Sequence, residues 1–234
     1  MQKRVQSEDS RLKKFEKQLN TQEKTILDGL RTPAEIQAFL DQMPYAAGER
    51  NRSPLEVIRE RQAHCLDGGL WAAAMLRRLG FPPLIMDLLP EPGQDDDHVL
   101  ALFRFEGCWG AVAQSNYTGL RYREAIHRTL RELVLSYFED YFNVFGCKTL
   151  RSYTRPIDLS RFDHLDWMIL PSGVDEVEKY LKTTHSYPLL NPAQINRLAE
   201  IDKLSFEAGR IGLNEEGVYV PKTNRASKQL EKSN

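Results

Sequence analysis

Apolar side chains return at helical spacing in the first half of the chain. Leu66, Leu70, Ala73, Leu76 and Leu79 recur at intervals of three and four, and Trp71, Ala74 and Met75 widen the stripe. This pattern predicts a helix that begins at or just after Cys65. Gly80 stands where it should stop, and Pro82 and Pro83 forbid its continuation. Upstream, Leu12, Phe15, Leu19, Ile26 and Leu27 punctuate a polar stretch at spacings that predict one or two amphipathic helices ending near Gly29. Thr32-Pro33 with Glu35 reads as a helix start carrying Ile36, Phe39 and Leu40 inward. Ser53-Pro54 opens another helix with Leu55, Val57 and Ile58.

Beyond Gly80 the period changes. Residues 83–89 read as a continuous apolar run of strand length, and residues 90–97 as a loop with three consecutive aspartates. From His98 to Phe105 the side chains alternate, with Val99, Ala101 and Phe103 on one face and His98, Leu100 and Leu102 on the other. Glu106-Gly107 marks a turn, and Cys108 to Ala113 makes a second strand closing at Gln114-Ser115-Asn116. Residues 122–141 return to a helical pattern, 150–153 suggest a strand, and 175–181 and 192–211 read as helices. An antiparallel hairpin after an apolar helix predicts an α+β fold. The expected organisation is a helical N-terminal arm over 1–31, a main domain over 32–170, a helical extension over 171–220 and a loose polar tail over 221–234.

Charge and composition narrow the function. In 234 residues, 32 basic and 33 acidic side chains leave a formal net charge of −1, so no global field favours nucleic acid or a membrane surface. Three scattered cysteines offer neither a disulfide framework nor a zinc pair. No apolar run reaches the length of a membrane span, and no signal-peptide core precedes Lys24. The expectation is a cytoplasmic protein that binds no nucleic acid and no membrane, with homo-oligomers possible through the helical arms.

Three pieces carry chemistry. Cys65 opens a helix, where unpaired amides and the helix dipole favour a thiolate. His98 opens a strand 33 residues later. A polar group ends the next strand. A thiol that attacks a carbonyl needs a base, and the base needs a third group to fix its ring. A two-residue turn at Glu106-Gly107 sets His98 opposite Ser115, whereas a three-residue turn sets it opposite Asn116. Asn116 is preferred because its carbonyl reaches an imidazole N–H, with Ser115 and Gln114 as alternatives. Gly68 and Gly69 within the helix imply close approach of another backbone or of substrate. The Cys65 amide is the natural oxyanion donor, and Gln62, His64, Trp109 and Tyr117 are candidate substrate or oxyanion contacts. The aspartate run before His98 reads as a solvated loop, with metal binding there a weaker alternative. No metal and no cofactor is expected.

The segments HCLDGGLWAAAMLRRLGFPP, DDDHVLALF and GCWGAVAQSNY together resemble the transglutaminase-like superfamily of papain-fold cysteine enzymes. The resemblance runs from about Ser53 to Asn116. It implies a papain-like core in which the cysteine helix packs on a small antiparallel sheet, a cysteine–histidine–acid triad, and hydrolysis or transfer of an amide acyl group through a thioester. The substrate would be a peptide, a protein or a small amide. The resemblance gives Cys65 as nucleophile and His98 as base. The family's aspartate is absent at the third position, where Gln114-Ser115-Asn116 stands. The alternative is a domain of this fold kept for binding or scaffolding without turnover.

Overall fold

The computed structural model describes residues 9–221, so the tail expected beyond Pro221 lies outside the described residues. Five helices come first: α1 (Ser10–Glu16), α2 (Thr21–Asp28), α3 (Pro33–Leu40), α4 (Pro54–Glu60) and α5 (Cys65–Arg78). Their starts are encoded locally. Thr32 accepts from the Glu35 amide ahead of Pro33, and Ser53 with Glu56 closes a reciprocal capping box ahead of Pro54, each worth about 1 kcal/mol. The α5 helix ends at Gly80, whose φ of +88° suits only glycine comfortably.

The strands β1 (Leu84–Pro90), β2 (His98–Phe105), β3 (Cys108–Val112) and β4 (Arg123–His127) precede a short helix, α6 (Leu130–Leu135). Then follow β5 (Leu150–Thr154), β6 (Ile157–Asp158), α7 (Pro171–Lys182), β7 (Ser186–Pro188), α8 (Pro192–Ile195) and α9 (Lys203–Gly209). The strands form one antiparallel sheet in the order β4-β3-β2-β1-β5-β7, with β6 also paired to β1. The fold is therefore α+β with a cysteine-bearing helix on an antiparallel sheet, an arrangement compatible with a papain-like core. The sheet has seven strands and is larger than the small one expected.

The sheet separates two apolar layers. One face carries Ile85, Val99, Ala101 and Phe103 against α5, and this layer also buries Phe15, Leu27, Ile36, Trp167 and Val177. The other face carries Met86, Leu88, Leu100 and Leu102 against Leu133, Val134, Tyr137 and Tyr141. Helices α1 and α2 thus pack on the main body. The glycines of α5 serve this packing: a Cβ on Gly69 would stand 2.8 Å from Val99 Cγ1, and one on Gly68 would stand 2.2 Å from Gln114 Cβ. The close approach expected at these glycines is that of the sheet.

Two local expectations differ from the structure, and of the two hairpin turns weighed the shorter is found. Residues 122–141 are not one helix, because β4 takes Arg123–His127 and Thr129 caps the separate α6. Ile126, on β4, is 72 % exposed and faces no core. The helix expected over 192–211 is two short ones, with Asp202 capping the second. The hairpin turn has two residues, since Phe105 pairs with Cys108, and Glu106 and Gly107 take φ of 47° and 85°. Two successive left-handed residues match the twist of the flanking strands, which a type I or II turn would splay.

Candidate active site

Cys65 is the first residue of α5, and His64 before it has extended backbone and makes no side-chain cap. The cysteine is 8 % exposed on the wall of a cavity of about 720 Å³. Its thiol donates to the Asp97 carbonyl at 3.8 Å. The Tyr45 hydroxyl lies against both the Cys65 amide and its thiol. A nucleophile, its own N–H and a phenol O–H thus meet at one spot.

The electrostatics there oppose the expected thiolate. Burial pushes the Cys65 thiol well up, and the carboxyls of Asp97, Asp96 and Asp87 push it further. The helix N-terminus is outweighed by desolvation and by three like charges. Asp87 is 2 % exposed within β1, and burial followed by the neighbouring Asp97 raises it well above the carboxylate range. The two carboxyls lie within hydrogen-bonding reach and titrate together. Asp97 is pushed up to about 6, by burial first and Asp96 second. Asp95 is likewise raised to about 6 by burial, although its carboxylate accepts from Thr149 Oγ1 at 2.6 Å. The aspartate run is therefore cavity wall, and only Asp96 among the three is exposed.

His98 is 4 % exposed, and its Nε2 lies 2.7 Å from the Leu120 carbonyl. A carbonyl only accepts, so Nε2 carries the proton and Nδ1 keeps its lone pair. Burial, with Arg123 adding a little, lowers its pKa to about 4, so the ring is neutral at pH 7. Alternation along β2 turns His98 to the face of Leu100 and Leu102, while its neighbour Val99 meets α5. The imidazole packs edge-on to Tyr141 and lines a separate cavity of about 40 Å³. Sulfur and imidazole are thus divided by the main chain at Asp97–Val99, and no hydrogen bond joins them among the described residues. Tyr45 lines both cavities.

The third position is resolved differently from the preference for Asn116. Extending the observed register sets His98 opposite Ser115, whose Oγ accepts from the Tyr117 amide at 3.0 Å. The group that meets the ring is the Leu120 carbonyl. Asn116 instead accepts from the Asn214 amide at 2.8 Å and donates to the carbonyls of Asn214 at 2.9 Å and Gly217 at 3.2 Å. Asn214 in turn donates to the Tyr45 carbonyl at 3.0 Å. The amide expected to orient the histidine therefore fastens residues 214–217 beside the cavity, where Glu216, Gly217, Val218 and Tyr219 form part of the wall.

The remaining candidates divide. Gln114 is buried against Gly68 and donates to the Met43 carbonyl at 3.3 Å. His64 lines the larger cavity with Nε2 at 3.4 Å from Asp67, and Tyr117 lines the smaller one. Gln62 donates to Glu60 at 3.4 Å and lines neither. Trp109 pairs with Arg104 beside the hairpin turn, at the opposite end of β2 from His98. Tyr45, Asp87 and residues 214–219 were not singled out from sequence. For Asp87 a signal existed, an acid inside an otherwise apolar strand. For the other two there was none.

No protein-family model matches the chain, and no curated protein matches it in sequence. Among solved structures it is similar to LapG of Legionella pneumophila, at 15 % identity and a TM-score of 0.33 over 54 % of this chain and 93 % of that one. A superposition of that quality assigns no activity. Among the described residues, no helix is long and apolar enough to cross a membrane.

Proposed function

We propose that the chain is a cysteine-dependent enzyme that cleaves or transfers an amide acyl group through a thioester on Cys65. The observation that carries this reading is the meeting of the Cys65 thiol, the Cys65 amide and the Tyr45 hydroxyl on the wall of a large cavity. In this reading the main chain at Asp97–Val99 bars direct transfer, and the thiol proton passes by way of the Tyr45 hydroxyl, whose residue lines both cavities, to His98 Nδ1, the nitrogen left bare by the Leu120 bond. The sulfur adds to the substrate carbonyl, and the oxyanion sits between the Cys65 N–H and the Tyr45 O–H. Collapse expels the amine, which takes the proton back from His98, and water or a second amine resolves the thioester. Leu120 fixes the ring tautomer, and Asn116 holds the C-terminal segment beside the cavity.

A second reading is a binding domain without turnover. The raised thiol and the turn of His98 to the opposite sheet face favour it. An internally quenched peptide library distinguishes the two. Cleavage by the full chain that disappears in Cys65→Ala supports the enzyme. Cleavage that persists in Cys65→Ala contradicts it, and binding of peptides without cleavage selects the second reading.

A further inference from the structure

We propose that residues 203–219 are an autoinhibitory strap, which lies over the cavity of Cys65 and must lift before a substrate reaches the thiol. This is regulation of the proposed site and rests on that reading, since the strap matters only if substrate meets Cys65. Glu216, Gly217, Val218 and Tyr219 wall the larger cavity beside Cys65, and Gly217 and Tyr219 also wall the smaller one beside His98. Tyr45, Asp96 and Asp97 are the other residues common to both linings. The strap therefore supplies part of the partition between the two cavities.

The strap reaches the thiol through Tyr45. Gly217 lies close against that ring, where an added Cβ would stand 2.9 Å from Cδ1. Asn214 Nδ2 donates to the Tyr45 carbonyl at 3.0 Å. The Tyr45 hydroxyl in turn lies against the Cys65 thiol, so strap and nucleophile share one side chain. With the strap seated, Cys65 is 8 % exposed, and burial is the largest of the causes that hold its thiol protonated. Lifting the strap admits water to that wall and weakens this cause.

The attachment is shallow. No residue from 203 to 220 is buried, and Leu204 and Ile211 turn outward to solvent. Three hydrogen bonds with Asn116 hold the strap, along with one from Thr118 Oγ1 to the Ala208 carbonyl at 3.1 Å and the Phe206 ring 5.5 Å from that of Phe142. An element with so little apolar burial opens at a fraction of the cost of global unfolding. The α5 helix, by contrast, is buried from Cys65 to Leu76. The strap therefore lifts while the helix that carries the nucleophile stays folded.

The test follows iodoacetamide labelling of Cys65 in the full chain by peptide mass spectrometry, with the more exposed Cys108 of the same molecule as reference. Lifting the strap exposes little surface. Labelling of Cys65 in urea below the unfolding transition should therefore rise with a slope less than about half that of global unfolding. Asn116→Ala, which loosens the strap, and Gly217→Ala, which crowds it off Tyr45, should each speed Cys65 labelling about tenfold or more relative to Cys108. Labelling with the full slope of global unfolding overturns the strap, as does labelling of Cys65 as fast as Cys108 in the unaltered chain. Unchanged or slower labelling in either folded variant overturns it too, and if a variant does not fold, the slope in the unaltered chain decides. Alkylation needs neither His98 nor turnover. A failed strap thus leaves acylation of Cys65 to be tested, and failed acylation leaves the result for the strap standing.

Discussion

His98 is the residue whose protonation the fold controls most directly, and His98→Gln exposes that control. The imidazole is 4 % exposed, and its pKa falls from 6.5 to about 4. Below pH 6.5 the unfolded chain takes up a proton that the folded chain refuses until about pH 4. The stability contributed by the neutral ring is therefore full above pH 6.5 and is lost as pH falls toward 4. At about 1.36 kcal/mol per pH unit the whole difference is about 3.4 kcal/mol, of which about 2.4 kcal/mol lies between pH 7 and pH 4.5. Glutamine does not titrate and can still donate to the Leu120 carbonyl. Urea unfolding of both proteins at pH 7 and pH 4.5 should thus show the stability difference moving by about 2.4 kcal/mol in favour of the variant at the lower pH. Raised carboxyls titrate the other way: Asp67 at about 7 and Asp95 and Asp97 at about 6 add stability at low pH and lose it as pH rises through those values. They are common to both proteins and cancel in the difference. A difference that does not move with pH would refute a buried, neutral His98.

Three further outcomes follow from single contacts. Gly68→Ala should cost about 2–3 kcal/mol in urea unfolding, because the new Cβ would stand 2.2 Å from Gln114 Cβ and no rotamer relieves it. Asn116→Ala removes three hydrogen bonds to residues 214–217. At about 1 kcal/mol each, amide hydrogen exchange in that segment should quicken by roughly tenfold to a hundredfold, and unchanged exchange would show that the segment is held elsewhere. Tyr45→Phe removes the phenol O–H beside the Cys65 amide. It should slow acylation of Cys65 by about tenfold to a hundredfold with little change in stability, whereas equal rates would remove Tyr45 from the oxyanion site.

What could be read from the sequence was local. The stripe from Leu66 to Leu76, the stop at Gly80 and the caps at Thr32 and Ser53 depend on residues a few positions apart, and each stands as expected. The hairpin and the place of its turn were legible, but the turn's length was not, because Glu106 occupies a left-handed position that asparagine or glycine would have announced. The register and the place of Asn116 hung on that one residue. The thiol environment was misjudged because a helix N-terminus is visible in sequence while the convergence of Asp87, Asp96 and Asp97 on Cys65 is a product of the fold. Tyr45 and Asn214 reach the site through contacts with Ala63 and Asn116 that no local pattern encodes.

The central claim is that Cys65 forms a thioester, and intact and peptide mass spectrometry after exposure to p-nitrophenyl acetate tests it most directly. Cys108 and Cys147 are more exposed than Cys65, so accessibility alone would label them first. The account predicts one acetyl group on Cys65 that then decays by hydrolysis, is absent in Cys65→Ser and forms far more slowly in His98→Ala. Acetylation spread over Cys108 and Cys147 while Cys65 stays free would contradict it.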